Sequence, residues 1–157
     1  KSKTLMNTTS NITDECIDKC NKLLRGERSA VETYNQAIEK YGSDARLTAL
    51  TGIRDEHLQS VVDLQKNILG MGGTPDDNGS VWESFTKCIQ GTANLFGKES
   101  AIESLEKGEE IGRHDYKEAL EDTDEMLPDC RNLISSTLLP RIESHIRILD
   151  RLEEAID

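Results

Sequence analysis

Aromatic residues are scarce in this sequence: they make up 4%, with a single Trp. Only three prolines occur in 157 residues. These shortages exclude a β-sandwich, whose strands are rich in aromatic and β-branched residues. Positive charge is also short, with Lys+Arg 19 against Asp+Glu 30 and a net charge of −11. Phosphate backbones are bound by clustered Lys and Arg, so nucleic acid is excluded as a partner. No apolar run approaches the roughly 20 residues that span a bilayer, which excludes membrane insertion. There is no Gly-rich phosphate loop, no nucleophile elbow and no Cys-x-x-Cys pair. The four cysteines belong to a chain long enough to fold without disulfides, so the expected location is the reducing cytoplasm.

What is present is helical periodicity. Residues 1–12 are polar and read as a flexible N-terminal tail, and 13–157 as one domain. A first helix is expected to start at Thr13-Asp14-Glu15 and to carry a stripe of Cys16, Cys20 and Leu23, then, after a gap, Val31, Tyr34, Ile38 and Tyr41, at steps of three and four on either side of the gap. Gly42-Ser43 breaks it, with Ser43 as the next N-cap. A second helix is expected over 44–71, ended by Gly72-Gly73-Thr74-Pro75. A crossover over 81–96 is expected to hold one short helix, anchored by Trp82. A third helix is expected over 99–122 and a fourth over 127–156, with Pro128 in its first turn and Pro140 kinking its interior. The fold class is all-α: four long helices in two hairpins joined by a long crossover.

The two halves resemble each other. Leu23, Gly26, Glu27, Tyr34, Ala37 and Glu39 align without gaps on Leu105, Gly108, Glu109, Tyr116, Ala119 and Glu121. His57, Leu64 and Ile68 align on His145, Leu152 and Ile156. Polar residues interrupt the apolar stripes at equivalent places. Glu27 stands between Leu23 and Val31, and Glu109 between Leu105 and Gly112. The second stripe reads Leu50, Arg54, His57, Val61, and the fourth Leu138, Arg141/Ile142, His145, Leu149. Two carboxylates and two imidazoles therefore point inward, and a buried carboxylate must be paired, metal-bound or protonated.

Gly-Glu followed by Tyr seven residues after the Glu, in both halves, with a His on each partner helix, resembles the rubrerythrin branch of the ferritin-like superfamily. The chain is most similar to an uncharacterised bacterial family of ferritin-like four-helix-bundle proteins, over residues 13–156. That resemblance implies a ferritin-like bundle in which Glu27 and Glu109 match the single glutamates of a di-iron site. His57 and His145 match its two histidines. It also implies a role in iron handling or stress response. The two bridging glutamates of the Glu-x-x-His pairs are absent, because Arg54 and Ile142 stand three residues before the histidines. A two-metal ferroxidase centre is therefore not expected.

Three readings of the residues stay open. One iron or zinc ion is held by Glu27, His57, Glu109 and His145, with redox or peroxide chemistry in prospect. Alternatively the protein is metal-free, Arg54 neutralises Glu27 in a buried ion pair, and the histidines bond Glu109. In the third, these residues are solvated charges. No catalytic residue is assigned, because nothing in the sequence supplies a substrate pocket, and a homodimer is the expected assembly. Cys16 and Cys20 read as small core residues rather than a thiolate metal pair, and Cys88 and Cys130 have no evident partner. Tyr34 and Tyr116 read as core, and His114 as exposed.

Overall fold

The computed structural model describes residues 2–77, 97–122 and 124–156, with side chains from Asn11 onward. The crossover expected over 81–96, including Trp82 and Cys88, lies outside the described residues. The described residues form helices joined by short turns, with no strand among them. The elements are α1 (Ser2–Tyr41), a 3-10 turn (Ala45–Leu47), α2 (Ala49–Gly70), α3 (Lys98–Glu121), α4 (Pro128–Leu133), a π turn (Ile134–Leu138) and α5 (Leu139–Ile156). α1 packs chiefly along α2 and α3 along α5, and the two pairs meet through α1 and α3. None of these helices is long and apolar enough to cross a membrane.

Helix ends follow local chemistry, with two corrections to the expected bounds. α1 is continuous from Ser2 rather than from Thr13. The Ser, Thr and Asn residues before Thr13 carry no Gly or Pro that would interrupt it. α1 ends at Gly42, whose N–H bonds Ile38 O at 2.7 Å. A Cβ at Gly42 would sit 2.3 Å from that same oxygen, so only glycine fits the close approach. The cap after the break is Asp44, not Ser43: its carboxylate accepts from Arg46 N at 2.9 Å and opens the 3-10 turn before α2. α2 ends in a Schellman arrangement. Gly72 adopts φ +83, Gly73 N donates to Ile68 O at 2.9 Å and Gly72 N to Leu69 O at 3.0 Å.

The fourth arm takes up Pro140 in a π turn. Proline cannot donate to the carbonyl four residues back. The helix widens just before it, and Leu139 N–H reaches Ile134 O, five residues away. Hydroxyls help satisfy the disturbed ladder, Ser136 Oγ donating to Asn132 O at 2.6 Å. The wider turn keeps Cys130, Ile134, Leu138 and Ile142, each four residues apart, all buried.

The core has two apolar clusters with a polar layer between them. One holds Cys16, Cys20, Leu24, Leu64, Ile68 and Ile134 among others. The other holds Tyr34, Leu47, Leu50, Ile53, Leu105 and Leu149 among others. Between them each arm contributes one buried carboxylate or imidazole: Glu27, His57, Glu109 and His145.

Two exposed glycines test the backbone argument. Gly52 lies inside α2 with open space around a would-be Cβ. Gly52→Ala is expected to raise unfolding free energy by about 0.5–1 kcal/mol, as helix propensity dictates. Gly72 has equal space but a left-handed φ, so Gly72→Ala is expected to lower it by about 1–2 kcal/mol. Urea titrations of the two variants check the opposite signs.

Candidate functional site

Each site residue stands on a helix at a position where the neighbouring turns are apolar. On α1, Glu27 lies between Leu24 and Tyr34, and on α3, Glu109 lies between Leu105 and Tyr116. Both carboxylates are 3% exposed. His57 comes from α2 and His145 from α5, at 2% and 1% exposure. The structure brings all four together. His57 Nδ1 is 2.5 Å from Glu27 Oε2, and its Nε2 is 2.5 Å from Glu109 Oε1. His145 Nδ1 lies 3.2 and 3.4 Å from the two oxygens of Glu109. The two imidazole rings are 4.7 Å apart.

The tyrosines close the layer reciprocally. Tyr34 on α1 donates to Glu109 Oε1 on α3 at 3.0 Å. Tyr116 on α3 donates to Glu27 Oε1 on α1 at 2.6 Å. Each helix pair thus supplies the phenol that bonds the other pair's glutamate. Burial, and then the neighbouring carboxylate, push both phenols well above their ordinary pKa, so they remain donors. The repeated Glu and Tyr, seven apart, carried this signal in the sequence, although the tyrosines read only as core.

Arg54 corrects the expectation that it neutralises Glu27. Its guanidinium bonds Asp55 Oδ1 at 3.1 and 3.3 Å and Asn35 Oδ1 at 3.2 Å, at the helix surface. The buried neighbour is Ile53, 2% exposed, one position earlier. The inward stripe of α2 is Leu50, Ile53, His57, Ser60, Leu64 and Ile68. Among the described residues no Lys or Arg forms an ion pair with Glu27 or Glu109.

Glu56 is a site residue that the apolar stripes do not single out. Its Oε1 is 2.8 Å from His145 Nε2, while its side chain stays half exposed. It lies beside the inner stripe, as its helical angle requires, and reaches the ring from the rim by its length. His114 is exposed, near Asp115 and Glu118.

Electrostatics in the layer are dominated by the two carboxylates. Burial alone would lower the His57 pKa, but the charges of Glu109 and Glu27 outweigh it and raise it to about 10. Burial would raise that of Glu109, but the charge of His57 and hydrogen bonds from both imidazoles hold it at about 2. The metal-free site is therefore an imidazolium bridging two carboxylates. A cavity of about 40 Å³ lies between α1 and α3, with Gly26, Glu27, His57, Gly108, Glu109 and Tyr116 in its wall. A water needs about 10–15 Å³, so the cavity has room for water against the glutamates.

His57, Glu109 and His145 can each offer one ligand atom, all within 4.8 Å of one another. Nε2 of His57 and Nδ1 of His145 both face Glu109. The other nitrogen of each ring is held by a further carboxylate, Glu27 or Glu56. Two imidazoles and a carboxylate, with the rings oriented from behind by carboxylates, is a donor set that suits zinc or ferrous iron.

The chain belongs to a protein family described as a domain of unknown function (DUF2383), whose model matches residues 15–122. The match takes in Glu27, His57 and Glu109 and ends before the arm that carries His145. No curated protein and no solved structure matches the chain.

The shifts set a pH window for the metal-free protein. His57 is raised from 6.5 to about 10, so its contribution is complete below pH 6.5 and is lost as pH rises toward 10. Glu109 is lowered from 4.5 to about 2, so its contribution is complete above pH 4.5 and is lost as pH falls toward 2. Urea unfolding in chelator is expected to show greatest stability between pH 4.5 and 6.5. His57→Gln is expected to flatten the alkaline limb.

Proposed function

We propose that this protein is a ferritin-like four-helix bundle that binds a single divalent transition metal, iron or zinc, at a remnant of a dinuclear centre. The carrying observation is the convergence of His57 Nε2 and His145 Nδ1 on Glu109, with each ring's other nitrogen occupied by a carboxylate. In this reading His57, Glu109 and His145 hold the ion, Glu27 and Glu56 fix the rings, and Tyr34 and Tyr116 hold the carboxylates. Charge supports one ion: two buried carboxylates carry −2, which one divalent cation cancels, whereas the His57 imidazolium cancels only half. The missing bridging carboxylates at positions 54 and 142 leave a second cation without ligands. Such an ion supplies Lewis acidity or, as iron, one-electron chemistry with peroxide. The chain's own residues position it, exclude bulk water, and keep two phenol protons beside it.

Metal uptake displaces the proton from His57 Nε2. Protein purified without a metal-affinity column and titrated anaerobically with Fe(II) or Zn(II) is expected to bind about one equivalent and to release a proton. Glu109→Ala and His57→Ala are expected to abolish binding while retaining helicity. Elemental analysis below about a tenth of an equivalent, before and after reconstitution, rejects the proposal.

A second reading is favoured by the two short contacts of His57, one to each carboxylate. Here the layer is a metal-free polar core network and the protein a structural or interaction bundle. Glu27→Ala would then destabilise by roughly 3–5 kcal/mol, the usual cost of breaking a buried pair. A loss under about 0.5 kcal/mol in metal-free denaturation would count against this reading.

A further inference from the structure

The lower apolar cluster contains a group that the acid and imidazole layer does not use. Cys16, Cys20 and Cys130 are each 0% exposed, and their sulfurs lie within 4.8 Å of one another. Cys20 Sγ is 2.7 Å from Cys130 Sγ, across 110 residues of sequence. Cys16 and Cys20 sit one turn apart on α1, and Cys130 comes from α4. Leu127 N–H donates to Cys16 Sγ at 3.4 Å, and Cys20 Sγ donates to Asn67 Oδ1 at 3.9 Å. The apolar cluster that holds them includes Leu24, Ile68, Met126 and Ile134.

Three thiols meeting from two helices differ from the single pair visible in sequence. One pair on a helix face packs as small hydrophobes at no cost. A third sulfur brought against it by another helix makes a ligand set. That set contains sulfur alone: no His, Asp or Glu joins it among the described residues. Soft thiolates select Cu(I), Zn(II) or iron–sulfur clusters. Structural zinc takes four ligands, and these clusters are likewise bound by four cysteines. Cu(I) is content with two or three sulfurs, and an apolar shell protects it from oxidation.

We propose that Cys16, Cys20 and Cys130 form a binding site for one Cu(I) ion, separate from the acid and imidazole layer. One further observation fits it. A surface groove of about 580 Å³ has Asn67 and Leu127 in its wall, the residues whose polar atoms touch Cys20 and Cys16. The groove thus runs beside two of the three cysteines, whose sulfurs themselves stay out of solvent. Binding exchanges thiol protons for the ion and transfers no electron, so the metal must arrive as Cu(I).

The test is an anaerobic Cu(I) titration of reduced protein carrying Cys88→Ser, in competition with a chromogenic Cu(I) chelator. Cys88→Ser leaves three thiols, so any thiolate coordination belongs to this site. One equivalent of Cu(I) is expected, with thiolate-to-copper absorption in the ultraviolet and sulfur-only coordination by X-ray absorption. Adding Cys130→Ser is expected to weaken binding by at least roughly 100-fold, beyond the cost of losing an outer-shell partner. Adding His57→Ala is expected to leave Cu(I) binding unchanged, which separates this site from the proposed iron or zinc site. Failure to hold Cu(I) against the chelator overturns the proposal, as does nitrogen or oxygen coordination. A Cys20–Cys130 disulfide that persists in reductant also overturns it. If Cys130→Ser proves unfolded, the absorption spectrum of the Cys88→Ser protein alone decides.

Discussion

Two negative charges in an apolar interior govern this structure. A carboxylate buried without a partner costs several kcal/mol, and Glu27 and Glu109 stand almost wholly out of water. Among the described residues neither has a lysine or arginine in an ion pair with it. Compensation comes instead from groups that neutralise or bond carboxylates without long side chains: two imidazoles and two phenols. The arms must therefore deliver one polar residue each to one level of the core. Helical spacing does this, because each polar residue is flanked by apolar ones a turn or two away. The apolar clusters on either side keep water from the layer, so its hydrogen bonds act in a medium of low polarity.

The supporting details serve the same end. Gly26 and Gly108 precede the two glutamates and leave the space between α1 and α3 in which the cavity lies. Gly112 lets α3 approach α5, where a Cβ would come within 3.3 Å of Ile142. The π turn before Pro140 lies upstream of His145 and carries the arm from the cysteine level to the histidine level with its inner residues still buried. The layer ties together all four arms, while the sulfur cluster ties α1 to α4 one level away.

Much of this was legible in sequence. Glu27, His57, Glu109 and His145 announced themselves as polar residues in apolar stripes, and the structure brings them together. Arg54 was misread because a stripe of threes and fours has two phases through His57. Leu50, Arg54, His57 and Leu50, Ile53, His57 both satisfy the helix, and burial chooses isoleucine. Glu56 stands one position off the inner stripe, where periodicity gives no sign of it; the length of its side chain carries it to His145. Cys130 could not be paired with Cys16 and Cys20, since no local rule connects residues more than a hundred positions apart. The start of α1 was placed at a plausible cap, but nothing before it stops a helix. The kink expected at Pro140 became a π turn, because widening the preceding turn also avoids the missing donor.

The crossed tyrosines make the two hairpins depend on each other. In each half Glu and Tyr stand seven residues apart on one helix, and the phenol reaches the glutamate of the other half rather than its own. Pulling the halves apart would therefore strand both buried carboxylates without their phenol donors at once. The symmetry is incomplete: His57 spans both glutamates, whereas His145 turns Nε2 to Glu56.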